Sequence, residues 1–156
     1  YPFELAVERI RAARRAIDET GSGVVLTARA EAFLTGHPDP LPEVVRRLGA
    51  FADAGADVLY APWVRTPEQI AAVVAAARGK PVNVVVFADF GLTVADFDAL
   101  GVRRLSTGGA SARSAWAGFI ESTRLIREEG RFSGFAGNSV TAPIEPFFRD
   151  DLKARS

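Results

Sequence analysis

Four glycines, Gly23, Gly55, Gly79 and Gly101, each precede a short apolar run, and each run gives way to a segment of helical periodicity. The first run, Val24-Val25-Leu26-Thr27-Ala28, is β-branched, continuous and bounded by glycine, which reads as a strand buried on both faces. Val58 to Ala61, Val82 to Phe87 and Val102 to Ser106 repeat the pattern. Strands that alternate with helices pair in parallel, because only a crossover of helical length brings the next strand back in the same direction. The expected order is therefore α-β-α-β-α-β-α-β-α.

The helical segments carry their own signals. Phe3, Ala6, Val7, Ile10, Ala13 and Ile17 fall on one face and stop at Gly21-Ser22-Gly23, where glycine can take the left-handed conformation that ends helices. Gly36-His37-Pro38-Asp39-Pro40 is a loop, after which Val44, Val45, Leu48, Phe51 and Ala52 mark a second inward stripe. Thr66-Pro67-Glu68-Gln69 combines an N-cap, a proline at the first helical position and a capping-box glutamine, ahead of Ile70, Val73, Val74 and Ala77. Thr93 caps a short helix with Val94, Phe97 and Leu100 inward, and Ala112, Ala115, Trp116, Phe119, Thr123 and Ile126 share a face of a long last helix.

Composition narrows the class. With 48% apolar residues in 156, the chain can build a core, and no stretch approaches the roughly 18 apolar residues of a membrane helix. Nineteen basic against nineteen acidic residues, with no basic run, argue against a nucleic-acid partner. The absence of cysteine removes disulfide frameworks, zinc fingers and thiol catalysis, and is what a protein of the reducing cytoplasm is expected to show. The chain also lacks methionine and opens at Tyr1-Pro2-Phe3 directly into a helical pattern, which reads as a piece of a longer protein.

Two architectures accommodate the pattern. A doubly wound open sheet closes its core within this length, whereas an eight-stranded β/α barrel needs about 250 residues. Length favours the open sheet; the start within a helix favours the last half of a barrel. In both, ligands sit just past the strand ends. There the sequence places Arg29 and Glu31, then Pro62 and Trp63, then Asp89, then Ser106, Thr107, Gly108 and Gly109. Arg29, directly after a buried strand, is placed to fork a carboxylate or phosphate with two parallel hydrogen bonds, or to pair with Glu31. Asp89 reads as a loop residue or an acid. Thr107 to Ser111 matches neither common phosphate-loop pattern, and the lone His37 has no second imidazole to share a metal with.

The runs Val24 to Leu34, Phe51 to Pro62, Lys80 to Val84 and Leu100 to Ser106 resemble, in order, the C-terminal half of the isocitrate lyase/phosphoenolpyruvate mutase superfamily, in particular members related to 2-methylisocitrate lyase and carboxyphosphonoenolpyruvate mutase. The resemblance covers nearly all of residues 3 to 130. It implies the C-terminal half of a (β/α)8 barrel over residues 1–130, with 131–156 an extension exchanged between subunits of a homo-oligomer, a dimer or tetramer. It also implies a Mg²⁺ ion whose ligands lie in the half absent from this chain, so that no metal ligand is assigned here. The implied substrates are small α-oxo or α-hydroxy carboxylates, with a C–C or C–P bond made or broken through an enolate-like intermediate. Arg29 matches the family's substrate-carboxylate arginine, and Glu31 the acidic position that supports it or joins the metal shell.

The departures are as informative. Pro62 stands where the similar lyases carry glutamate and the mutases histidine, and Val86 where methylisocitrate lyases carry asparagine, although Asp89-Phe90-Gly91 echoes their acidic-Phe-Gly. Pro62, Asp89 and Ser106 are taken as pocket lining. The expectation is a Mg²⁺-dependent C–C lyase. Phosphonomutase, oxaloacetate hydrolase or decarboxylase, and a barrel-derived binding or assembly module without catalysis, stay open.

Overall fold

The computed structural model describes residues 1–136, 144 and 146–151. Its elements run α1 (Phe3–Thr20), β1 (Thr27–Arg29), α2 (Pro40–Asp53), β2 (Val58–Tyr60), α3 (Pro67–Ala76), β3 (Val82–Val85), α4 (Val94–Ala99), β4 (Arg104–Ser106) and α5 (Ala110–Glu129), then a 3-10 turn at Ser133–Phe135. Two compact units result, Tyr1–Ala110 and Ser111–Ser156.

In the first unit the four strands form one parallel sheet in the order β1-β2-β3-β4. A doubly wound sheet reverses its strand order once, and that reversal is what puts helices on both faces. Here the order never reverses. With parallel crossovers keeping one hand, the crossover helices α2 to α4 belong to a single side, which is the winding of a barrel segment and decides between the two architectures. Burial agrees. Ala28, Leu59 and Val84 are at most 1% exposed, whereas Thr27 and Arg29, on the other face of β1, are exposed.

The local signals explain the elements. Gly21 closes α1 at φ 60. Thr66 and Gln69 form the anticipated capping box of α3, with Pro67 at the first position, and Thr93 with Asp96 does the same for α4. Lys80 caps α2 from outside it, its Nζ donating to the carbonyls of Ala52 (2.7 Å) and Ala56 (2.6 Å), where the helix dipole favours a cation. Gly55, at φ 101, is required on two counts, since a Cβ there would also lie 2.7 Å from Cγ of Arg14.

Three expectations are corrected. The first strand is not Val24 to Ala28: it begins at Thr27, and Val24 and Val25 are 56% and 63% exposed. Asp57 sets that start, because its carboxylate accepts the Leu26 N–H (2.7 Å) and Thr27 pairs with Val58, leaving the two valines beyond the end of the partner strand. Val94 is not inward but 73% exposed. It opens onto a groove beside the edge strand β4, and Phe97 fills the core in its place. In the second unit the apolar face of α5 finds little cover of its own, with Trp116 and Phe119 packed edge to face 5.5 Å apart yet about 60% exposed. What α5 does bury is Ser122, whose hydroxyl donates to the Gly118 carbonyl and approaches that of Gly134. Gly134 is needed there, since a Cβ would meet the Ser122 backbone at 2.7 Å.

Candidate functional site

Parallel pairing puts register partners on the same face, so Arg29, Tyr60, Asn83 and Arg104 form one row across all four strands, on the face away from the core. Side-chain contacts join it at both ends. The Arg29 guanidinium lies 5.4 Å from the Tyr60 ring, and Arg104 Nη1 donates to Asn83 Oδ1 at 2.9 Å. Asn83, 1% exposed, gives its amide N–H to Ser106 Oγ at 3.2 Å. Both ends of the buried amide are thereby satisfied, as burial of a polar group demands.

Arg29 is the last residue of β1, and its side chain closes on Glu31 as a two-point fork: Nε pairs with one carboxylate oxygen and Nη2 donates to the other at 3.1 Å. Both side chains are more than 40% exposed, so the pair contributes roughly 0–1 kcal/mol to stability. Its interest is geometric. The guanidinium already holds a carboxylate in the planar arrangement anticipated for a ligand, and its Nη1 edge has no hydrogen-bond partner among the described residues.

The two residues line a cleft of about 190 Å³ with Tyr1, Thr35, His37, Glu43 and Arg47. In it Glu43 is held between Arg46 and Arg47. Burial pushes the Glu43 carboxyl up, but hydrogen bonds from the two arginines outweigh this and leave it below the usual carboxylate range. The cleft therefore carries two arginines against two carboxylates. His37 closes on the Asp39 backbone, whose N–H reaches Nδ1 at 3.2 Å.

The other candidates lie at neighbouring strand ends and not in this cleft. Pro62 is buried just after β2. Asp89 is exposed, and its Oδ1 accepts the Gly91 N–H at 2.8 Å, which is the work of a turn residue. Ser106 is half-buried at the end of β4 and bonded to Asn83. Among the described residues no group of three or more His, Cys, Asp or Glu is disposed to hold a metal ion. Nor is any described helix long and apolar enough to cross a membrane.

Sequence reasoning passed over Asn83 and Arg104, although each is a polar interruption of an apolar strand and so carried a usable signal. It also passed over Arg65. The Trp63 backbone, at φ 71, is left-handed, a conformation rarely adopted by a bulky residue and not legible from residue type.

Comparison with known proteins fits this geometry. The family model for phosphoenolpyruvate phosphomutase matches residues 1–127. The phosphoenolpyruvate phosphomutase of Streptomyces hygroscopicus is 31% identical over 126 residues, covering 80% of this chain and 39% of that protein. A solved structure from Burkholderia cenocepacia J2315, designated a candidate lyase/mutase, superimposes with a TM-score of 0.83 at 40% identity, over 95% of this chain and 53% of the other. A phosphonopyruvate hydrolase does so with a TM-score of 0.70 at 31% identity, over 99% and 55%. The chain thus spans about half the length of these solved relatives, and its four parallel strands correspond to part of a TIM-type barrel. From the match over residues 1–127, the chain belongs to the phosphoenolpyruvate phosphomutase family, within the superfamily that also contains the isocitrate lyases.

Proposed function

We propose that this chain is the C-terminal half of a cytoplasmic enzyme that makes or breaks a C–C bond in a small α-oxo or α-hydroxy carboxylate through an enolate-like intermediate. The observation that carries the reading is Arg29: a guanidinium at the C-terminal end of a barrel strand, already closed on a carboxylate in two-point geometry. In the working enzyme Arg29 holds the substrate carboxylate and Glu31 orients the guanidinium from its other edge. Ser106 accepts a hydrogen bond from Asn83, which leaves its own proton for a ligand oxygen. Positioning of this kind accelerates a reaction by fixing the reacting carbon relative to the groups that take up charge. Mg²⁺ is part of the reading through the family, with ligands outside this chain.

Pro62 favours a second reading, a binding or assembly module without catalysis, because a buried proline offers no proton where the similar lyases and mutases have a titratable side chain. Turnover separates the two. The protein that carries this chain in full, assayed with Mg²⁺ against oxaloacetate, phosphonopyruvate and 2-methylisocitrate, is expected to convert one of them. Inertness towards all three, with the protein folded, would leave the module.

The same reading includes self-association. Phe132, Phe135, Phe147 and Phe148 are 56–68% exposed, an apolar load worth roughly 1.5–3 kcal/mol each if covered. The proposed extension, residues 131–156, covers them against a neighbouring subunit of a dimer or tetramer; 137–143, 145 and 152–156 lie outside the described residues. Deleting 131–156 is expected to lower the mass in solution to that of a smaller assembly. A folded truncation of unchanged oligomeric state contradicts the proposal.

A further inference from the structure

Asn83 is the one polar side chain of β3, it is 1% exposed, and its amide is engaged at both ends, by Arg104 Nη1 at 2.9 Å and by Ser106 Oγ at 3.2 Å. A guanidinium carries only N–H donors, so the amide atom that faces Arg104 has to be Oδ1. That turns the amide NH₂ towards Ser106, whose Oγ accepts from it. The opposite rotation of the amide would leave donor facing donor in a buried place, which burial penalises. Arg104 thus decides which way round Asn83 stands.

Ser106 is held by its backbone as well. It pairs in register with Val85, and its carbonyl accepts the Val86 N–H at 2.7 Å, which fixes where the side chain starts at the end of β4. Its Oγ is occupied as an acceptor, and its proton has no acceptor among the described residues. The hydroxyl is left as a donor. Hydrogen bonds aligned in this way polarise one another, so the positive charge of Arg104 at the head of the series strengthens the donor at its end.

We propose that Arg104 and Asn83 are positioning residues that fix the Ser106 hydroxyl as a one-way hydrogen-bond donor to an anionic ligand oxygen at the strand ends. The inference rests on the carboxylate reading above and deepens it, since it explains why an amide and an arginine interrupt the apolar strands behind Ser106. Asn83→Asp separates this from a purely structural trio. A carboxylate accepts at both ends: it keeps Arg104 through a charge-assisted bond, but it also takes the Ser106 proton and so turns the hydroxyl away from a ligand.

The probe is oxalate, which sets charged oxygens on adjacent carbons as the enolate of a small α-oxo acid does. It is titrated calorimetrically, with Mg²⁺ present, into the protein that carries this chain in full. Asn83→Asp and Ser106→Ala are each expected to weaken oxalate on the order of 10- to 100-fold, and the double variant to bind it as Ser106→Ala alone does. Arg104→Met, which frees the amide to turn, weakens oxalate too, whereas Arg104→Lys, which also only donates, restores the affinity to within about twofold of the parent. The Arg104 pair decides the matter should Asn83→Asp fail to fold. Repulsion by the new carboxylate would persist in the Ser106→Ala background, so additive losses overturn the proposal. Unchanged affinity in Ser106→Ala, or equal affinity in the two Arg104 variants, does the same. A folded parent protein that does not bind oxalate removes the carboxylate reading and the proposal with it. If the variants behave as expected while none of the three assayed compounds turns over, the Ser106 donor stands and the enzymatic reading falls.

Discussion

Leu59→Ala is expected to destabilise the chain by about 2–5 kcal/mol. Leu59 is fully buried in the middle of β2, flanked in register by Ala28 and Val82, and it faces the helices that supply the rest of the core. Removing its branched end deletes transfer free energy and leaves a cavity that small neighbours such as Ala28 and Ala61 cannot fill. For a protein of this size each kcal/mol moves the thermal midpoint by about 2–4 °C, so a fall of roughly 10 °C is anticipated. Val94→Ala serves as the comparison. Its side chain is 73% exposed, and the change should stay within about 0.5 kcal/mol. Urea melts of the two variants check the assignment of the core, and similar midpoints for both would show that the helix-facing side of the sheet has been misplaced.

How much of this was legible in the residues depends on how local the cause is. The capping box at Thr66, the cap at Thr93 and the left-handed stop at Gly21 are decided within four residues, and each stands where the pattern placed it, with Asp96 completing a box at Thr93. The start of β1 is decided by Asp57, about thirty residues downstream, so a β-branched run alone put the strand three residues early. Winding was ambiguous for the same reason. Alternating helices and strands are common to barrels and open sheets, and only the pairing order of β1 to β4 distinguishes them.

The site shows the same division. The sequence put Arg29 just past the strand, whereas it is the last residue of β1 with Glu31 two residues on, and its pairing with Glu31 was one of the two readings its position allowed. The alignment of Arg29, Tyr60, Asn83 and Arg104 in one row is a product of register, which sequence separation hides. The approach of Arg65 to both Trp63 (4.5 Å) and Phe87 (5.1 Å) joins residues of two different loops, next to a left-handed backbone at Trp63 that no residue pattern announces.

Arg29→Lys tests the central assignment. Lysine keeps the charge but offers a single ammonium in place of a planar fork, so a carboxylate held at two points is held at one and its orientation is lost. The exposed Arg29–Glu31 pair contributes too little to folding for the substitution to unfold the protein, with about 1 kcal/mol as the upper bound. Stability and function should therefore separate. In the complete protein, with the compound that the turnover assay identifies, Arg29→Lys is predicted to lower kcat/KM on the order of 100-fold while the thermal midpoint moves by no more than a few degrees. Wild-type kcat/KM in a folded Arg29→Lys protein would contradict the account and leave Arg29 as a partner of Glu31 alone.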